Sequence, residues 1–359
     1  MRICFLGDIR STHTQKFIKY FSKEHDTHII SFDYIGDERM ESGINFFNNI
    51  GTEIHILKKS HLLISPIITR SLIRKIDPDL LQAHFITNYG FLGAFSGVKP
   101  LVISAMGDDI LIHPFKSIFY NWLVMHAINN SDFIICDGIN SKNNLLTFGI
   151  SPDKILVVYP GVNVQLFHPL YNIIRPDNNK MVFYPRGFDK IYDTDTLFSV
   201  ISIINKINPN IKFMLLGLGT ELERFKSMII SSGLEKSVKF LGQVPNNELP
   251  IYFALSDISI TTSLSDGGIP VSTIEAMACG IPVISTDAGD AALWVRDDIS
   301  GYVVKKQDPE QMANRIIELL NDDERRLQFG KNARKLVEVD QNYNLEMKKI
   351  ENLYSKLIN

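Results

Sequence analysis

Short apolar runs alternate with stretches of helical periodicity along most of the chain. That alternation predicts parallel sheets covered by helices on both faces. In the first half the predicted strands are 2–7, 27–32, 53–57, 80–83, 101–105, 133–136 and 155–158, with helices at 14–22, 67–75 and 118–129. The segment from Pro160 to Asn179 is rich in Pro, Asn and Asp and has no periodicity, which reads as a linker. The scheme then restarts, with strands at 181–184, 212–216, 238–241, 258–261, 282–285 and 302–304 and three helical stretches closing the chain, the last about 343–357. The expected fold class is α/β, two Rossmann-like parallel-sheet domains. Ligands of open parallel sheets bind beyond the carboxyl ends of the strands. Most of the chemically interesting motifs fall at such ends, which predicts one central cleft faced by both domains.

Composition narrows the class. A chain of 359 residues is comfortable for two domains. Its 45% hydrophobic and 21% charged content, with a net charge of −3, describes a globular protein and argues against a nucleic-acid-coating one. Cys4, Cys136 and Cys279 are widely spaced with no CxxC pair, so neither a disulfide framework nor a zinc site is expected. The opening apolar run is too short for a signal peptide and is interrupted by Asp8; no run approaches the ~18 apolar residues that span a bilayer. A cytoplasmic location is the expectation.

The most informative stretch is Ser263–Asp287, SLSDGGIPVSTIEAMACGIPVISTD. An acidic glycine loop enters a helix at Pro270, and Gly280 ends it, the usual asymmetry of helix boundaries. A helix N-terminus offers free N–H groups and a partial positive charge, which suits a phosphate. Helical side chains lean back toward that end, so Glu275 reaches toward whatever the phosphate belongs to. Its carboxylate can accept both hydroxyls of a ribose cis-diol.

SDGGIPVSTIEAMACGIPVIST also resembles the signature of the GT-B glycosyltransferases of family 4, retaining enzymes that use nucleotide-sugar donors. That signature carries two carboxylates with seven residues between them. Glu275 matches the second; Gly267 holds the place of the first, and Asp266 lies one residue earlier. The resemblance implies that Asp266, with Gly267, Gly268, Ile269, Pro270 and Val271, faces the donor sugar. After the 181–184 strand, PRGFDK resembles the family's Arg and Lys on the donor diphosphate, here Arg186 and Lys190, the Lys one residue nearer than usual. LLGLGTELERF supplies Gly217 and Gly219, near the donor phosphates in the family, although GxG alone also fits an empty tight turn. A dinucleotide site would want a small residue at Leu222 and an acid closing the next strand; neither is present, so NAD is not expected.

In the first half, Gly7 and His13 follow the first strand, where the family's acceptor often docks. LLQAHF resembles the family's H-A-H region with Gln82 for the first histidine, which implies that His84 faces the donor sugar or a developing charge. SAMGDDIL resembles a W-G-S-D turn, with Asp109 as the acid that orients His84 or an acceptor hydroxyl. YPGVNVQLFHP resembles the family's hinge entry, Asn163 replacing the usual acid.

The implied organisation is an acceptor-side domain over 1–165, a linker over 166–179, a nucleotide-sugar domain over 180–340, and a final segment 341–359 returning to the first domain. The implied reaction is retaining transfer of a sugar from an NDP-sugar to a hydroxyl of a glycan or lipid-linked acceptor, in polysaccharide assembly by family analogy. It needs no cofactor and no metal: Asp193-Thr194-Asp195 spells D-x-D but starts a helix, where acids cap. A GT-B nucleotide-sugar epimerase would want more cleft carboxylates and histidines. A silent sugar-nucleotide-binding subunit is an alternative that the displaced acid at 266–267 leaves open. Finally, 55–76 mixes apolar residues with Lys58, Lys59, Arg70, Arg74 and Lys75 and has no acid, a pattern that fits peripheral contact with an anionic membrane face or an ordinary amphipathic helix.

Overall fold

The computed structural model describes residues 1–32, 37, 39–58, 65–170 and 179–358. They form two compact units, Met1–Tyr159 with Met347–Asn359, and Pro160–Glu346. Residues 160–165 and 341–346, grouped by pattern with the first domain and the terminal segment, thus count with the second unit. The reason is local: Val162 bridges to Asn342, and a Cβ on Gly161 (φ +61°) would stand 2.7 Å from Tyr343 Cα. Arg334 then ties this stretch down, donating to the carbonyls of Phe167 and Ala278, both at 2.6 Å. Most of the expected linker, 171–178, lies outside the described residues.

The first unit carries strands β1 (Arg2–Leu6), β2 (Asp26–Phe32), β3 (Glu53–Leu57), β4 (Leu80–His84), β5 (Leu101–Ala105), β6 (Phe133–Cys136) and β7 (Ile155–Val157). They form one sheet in the order β3-β2-β1-β4-β5-β6-β7, every pair parallel. The second unit carries β8 (Met181–Tyr184), β9 (Lys212–Leu216), β10 (Val238–Gly242), β11 (Ile258–Thr261), β12 (Val283–Thr286) and β13 (Gly301–Val304) in the order β10-β9-β8-β11-β12-β13, again all parallel.

Central strands such as β4, β5, β11 and β12 are buried at every residue, which is why they read as mainly apolar runs. Helices cover them with one apolar stripe. In Thr194–Ile207, Leu197, Val200, Ile201 and Ile204 point inward at helical spacing, and Asp193 caps the start by accepting from Thr196 N. The same cap, together with the Asp195–Arg224 ion pair, occupies both acids of the D-x-D.

Each sheet has a switch point where chain order reverses, between β1 and β4 in the first unit and between β8 and β11 in the second. Adjacent crossovers leave to opposite faces there, which opens a crevice at the strand ends.

One surface of the first unit stands out. Phe115, Ile118, Phe119 and Trp122 are more than half exposed, next to Lys116, and no carboxylate occurs from 110 to 131. Among the described residues no helix is long and apolar enough to cross a membrane.

Candidate functional site

The second unit's candidate residues gather around its switch point. Arg186 follows β8 and Asp266 follows β11, and the two meet: Arg186 Nη2 donates to Asp266 Oδ2 at 2.9 Å. The guanidinium also lies over the Tyr192 ring, Cζ 4.4 Å from the centroid. Both partners are largely shielded, so the pair fixes the Arg186 fork rather than dissolving into solvent. Arg186 Nε is buried with no hydrogen-bond partner. An orphan charged donor of this kind calls for a ligand group. Sequence reading gave these two residues separate tasks; the fold joins them across eighty positions. Lys190 stands exposed on the following turn.

Gly217 and Gly219 are needed by the chain itself. Gly217 sits at φ +107°, and a Cβ there would lie 2.8 Å from the Arg186 carbonyl; on Gly219 it would lie 2.3 to 2.6 Å from the Phe188 backbone. The loop after β9 is thereby zipped to the loop after β8, with Phe188 N donating to Leu218 O at 2.9 Å and Glu221 N to Phe188 O at 2.7 Å. Of the two readings open for GxG, the tight packing turn accounts for both glycines, and their product is the position of Arg186.

The glycine loop before the next helix is built the same way. The helix starts at Val271, with Pro270 as its N-cap at ψ 129°, one residue later than expected. Gly268 O accepts from Asp290 N at 3.0 Å, and Gly289 (φ +58°) has room for no side chain because its Cβ would lie 2.1 Å from Gly268 O. Gly267, Gly268, Ile269 and Pro270 are buried beneath this second loop. Glu275 is 4% exposed, and its Oε1 accepts from Asn246 Nδ2 at 3.0 Å, from the loop after β10.

Sequence reading passed over three hydroxyls. Ser272 Oγ and Thr273 Oγ1, in the first helical turn, and Ser263 Oγ, just after β11, are buried without hydrogen-bond partners. Together with Arg186 Nε, they leave four polar groups unsatisfied at the carboxyl-end side of one sheet. Backbone N–H groups of a helix start, an arginine and hydroxyl donors form a set that binds a phosphorylated anion. The signal was present as the S-T pair behind Pro270, but only burial distinguishes it from ordinary helix-start residues.

In the first unit, Gly7 and His84 flank the β1/β4 switch point. A Cβ on Gly7 would approach Thr14 Cγ2 to 3.0 Å and His84 Cβ to 3.6 Å. His84 is the last residue of β4 and 2% exposed, and both ring nitrogens lack partners. Its ring packs edge-on against Phe17, centroids 4.8 Å apart, and His13 stands 6.0 Å away. Burial, with the neighbouring His13 adding to it, holds the His84 pKa well below the usual imidazole range. Burial, followed by Lys16, lowers His13 to about 4. Both rings are neutral at pH 7, so each pairs one donor with one acceptor.

Asp109 corrects the expectation. It is fully buried, its oxygens accept from Ile86 N at 2.7 Å and Met106 N at 2.9 Å, and it makes no hydrogen bond to the His84 ring. Burial, opposed by those two backbone bonds, raises its pKa to about 7. The carboxyl holds the turn after β5 to the irregular helix Phe85–Gly90, in which Phe85 has φ +79°. It braces the segment behind His84 and offers no free oxygen to an acceptor hydroxyl.

Two parallel Rossmann-like units, the second with an anion-suited crevice, give the GT-B architecture that the sequence resemblance implies. The family model for glycosyl transferases group 1 matches residues 172–336, and the model for glycosyl transferase 4-like domains matches residues 2–138. The chain belongs to the group 1 glycosyltransferases. An uncharacterised glycosyltransferase of Methanocaldococcus jannaschii is 27% identical over 337 residues, covering 92% of this chain and 89% of that one. A D-inositol 3-phosphate glycosyltransferase of Corynebacterium aurimucosum is 23% identical, over 57% of this chain and 52% of its own. Among solved structures, Anabaena HepE in complex with UDP and glucose superposes with a TM-score of 0.83 at 19% identity, over 99% of this chain and 100% of that one. Sucrose-phosphate synthase of Thermosynechococcus elongatus gives 0.80 at 17% identity, over 99% of each chain.

Proposed function

We propose that this glycosyltransferase moves a sugar from a nucleoside-diphosphate donor to a hydroxyl of a glycan or lipid-linked acceptor, with retention of configuration. The observation that carries the reading is the buried, partly unpaired Arg186 held by Asp266 and Tyr192 at the second sheet's switch point. Neighbours solved with UDP, and with UDP and glucose, support a uridine donor as the first to test. Arg186 and Lys190 stabilise the charge that grows on the departing diphosphate. Ser272, Thr273 and the helix start at Val271 hold the phosphates, Glu275 takes the ribose diol, and Asp266 with Gly267 and Gly268 borders the donor sugar. His84, neutral, gives a hydrogen bond to the sugar face. The departing phosphate accepts the acceptor's proton, so no protein base is required, and neither metal nor cofactor enters.

The test is turnover of UDP-glucose and related donors in the presence of candidate hydroxyl acceptors, read by release of nucleoside diphosphate. Release with at least one donor supports the reading. Binding without release from any donor would instead favour the silent subunit.

Peripheral membrane contact through 55–76 stays in the proposal as an electrostatic one. Residues 59–64 of that stretch lie outside the described residues. The helix Ser65–Ile76 buries Thr69, Ile73 and Ile76 against its own unit and turns Arg70, Arg74 and Lys75 outward together with Ile67, so what it offers is mainly charge. The Phe115–Trp122 surface supplies the complementary apolar side, with aromatic rings of the kind that settle at a bilayer interface. Sedimentation with phosphatidylglycerol vesicles should bring down the wild type and fail for Phe119→Ser/Trp122→Ser. Equal sedimentation of both would remove that surface from the account.

A further inference from the structure

A group of titratable side chains outside the candidate site lies at the edge of the first sheet. His28 is on β2, and Glu53 and His55 are on β3, the edge strand. The parallel register pairs His28 with Glu53 and Ile30 with His55. Side chains two apart along a strand share a face, so the ladder itself sets the two imidazoles and the carboxylate side by side.

The spacing of their donor atoms decides what they suit. His28 Nδ1 and His55 Nε2 are 3.5 Å apart, His28 Nδ1 and Glu53 Oε2 3.4 Å, and His55 Nε2 and Glu53 Oε1 3.6 Å. A histidine–histidine hydrogen bond of 3.5 Å is long against the ~2.7–3.2 Å usual for N–H donors. The histidine–histidine distance fits instead an edge of a coordination tetrahedron, with Glu53 presenting one oxygen to each imidazole and one ligand atom from each residue within 4.8 Å of the others. Bonds of about 2.0–2.1 Å in tetrahedral geometry set donors about 3.3–3.4 Å apart, whereas octahedral bonds of about 2.1–2.2 Å would set them about 3.0–3.1 Å apart. Behind the group, His28 Nε2 is buried without a hydrogen-bond partner; Asp26 Oδ1 stands 3.3 Å away, and the other Asp26 oxygen takes Arg2 Nε at 2.7 Å. A carboxylate at that distance is close enough to take the far ring proton when the near nitrogen binds a metal, the usual support of a metal-bound histidine. His28 is buried and His55 largely so, while the Glu53 side chain reaches solvent and leaves an entry path.

We propose that His28, Glu53 and His55 bind one zinc-class divalent cation, with solvent as the fourth ligand. Its task is structural. His28 and Glu53 lie toward the N-terminal ends of their strands and His55 at the middle of β3, while Gly7 and His84 lie at the carboxyl ends of β1 and β4. The ion clips β3 to β2 at the sheet edge, beside their ladder and a Thr27–Thr52 hydroxyl contact of 2.8 Å. The inference is independent of the donor chemistry proposed above, because no atom of the group belongs to the second unit.

Full-length, tag-free protein stripped with chelator is titrated with zinc chloride by calorimetry and with cobalt chloride by visible absorption. One equivalent should bind, cobalt should show the intense bands of a tetrahedral site, and the thermal midpoint should rise by about 3–5 °C for each tenfold excess of zinc over its dissociation constant. Glu53→Gln and His55→Gln should each weaken zinc binding about tenfold or more, with the metal-free midpoint near wild type and turnover of the sugar donor unchanged. No stoichiometric binding, or binding equally tight in both variants, would overturn the site.

Discussion

Replacing Arg186 by alanine lowers kcat for sugar transfer by about a thousandfold and leaves the donor's KM within a few-fold. Charge on the leaving diphosphate is largest in the transition state, so a cation aimed at it stabilises that state more than the ground state, and removal of one such group costs on the order of 10²–10³ in kcat. Arg186 is expected at the upper end because its fork is pre-set by the 2.9 Å pair with Asp266 and by the Tyr192 ring. Truncation would also leave the largely shielded Asp266 carboxylate without its cation, adding repulsion toward the diphosphate. Arg186→Lys should restore little, since an ammonium cannot reproduce the planar fork. Steady-state kinetics on both variants decide this. A fall in kcat below tenfold would remove Arg186 from the leaving-group role.

Glu275→Ala should weaken nucleoside-diphosphate binding by about a hundredfold. A buried carboxylate that accepts both ribose hydroxyls contributes charge-assisted hydrogen bonds, each on the order of 1.5–3 kcal/mol. The present structure already uses one oxygen on Asn246 Nδ2, at 3.0 Å, which fixes the side chain in the buried position behind the helix start. The alanine variant frees Asn246 as well, so Asn246→Ala, which spares the carboxylate, should show only part of the loss. Unfolding of Glu275→Ala, a risk for so buried a residue, is monitored by its thermal midpoint without ligand.

Much of the scaffold was legible because parallel strands are buried on both faces and announce themselves as apolar runs. Six strands, among them Glu53–Leu57, Leu101–Ala105 and Lys212–Leu216, have the expected bounds, and the others shift by a residue at one end or both. Glycine and proline marked the 263–287 segment for the same local reason. Long-range consequences were not legible. Nothing near Arg186 in sequence announces Asp266, and the Asp109 carboxyl reads as an acid facing His84 or an acceptor until the Ile86 N–H, twenty-three residues away, is seen to occupy it. Gly219 looked like a ligand contact because a glycine's missing side chain looks the same whether a phosphate or the Phe188 backbone fills the space. The orphaned Ser263, Ser272 and Thr273 hydroxyls could not be told from satisfied ones before their burial was known. The exposed Phe115–Trp122 surface went unmarked because its apolar residues look like core until the fold leaves them outside.

The central claim is that the crevice between β8 and β11 holds the nucleoside diphosphate of a sugar donor. Calorimetric titration of the wild type and Glu275→Ala with UDP, GDP, ADP and NAD tests it most directly. The account predicts saturable binding of one nucleoside diphosphate, weakened about a hundredfold in the variant, and no binding of NAD. Binding of NAD alone, or a diphosphate bound equally well by both proteins, would contradict it.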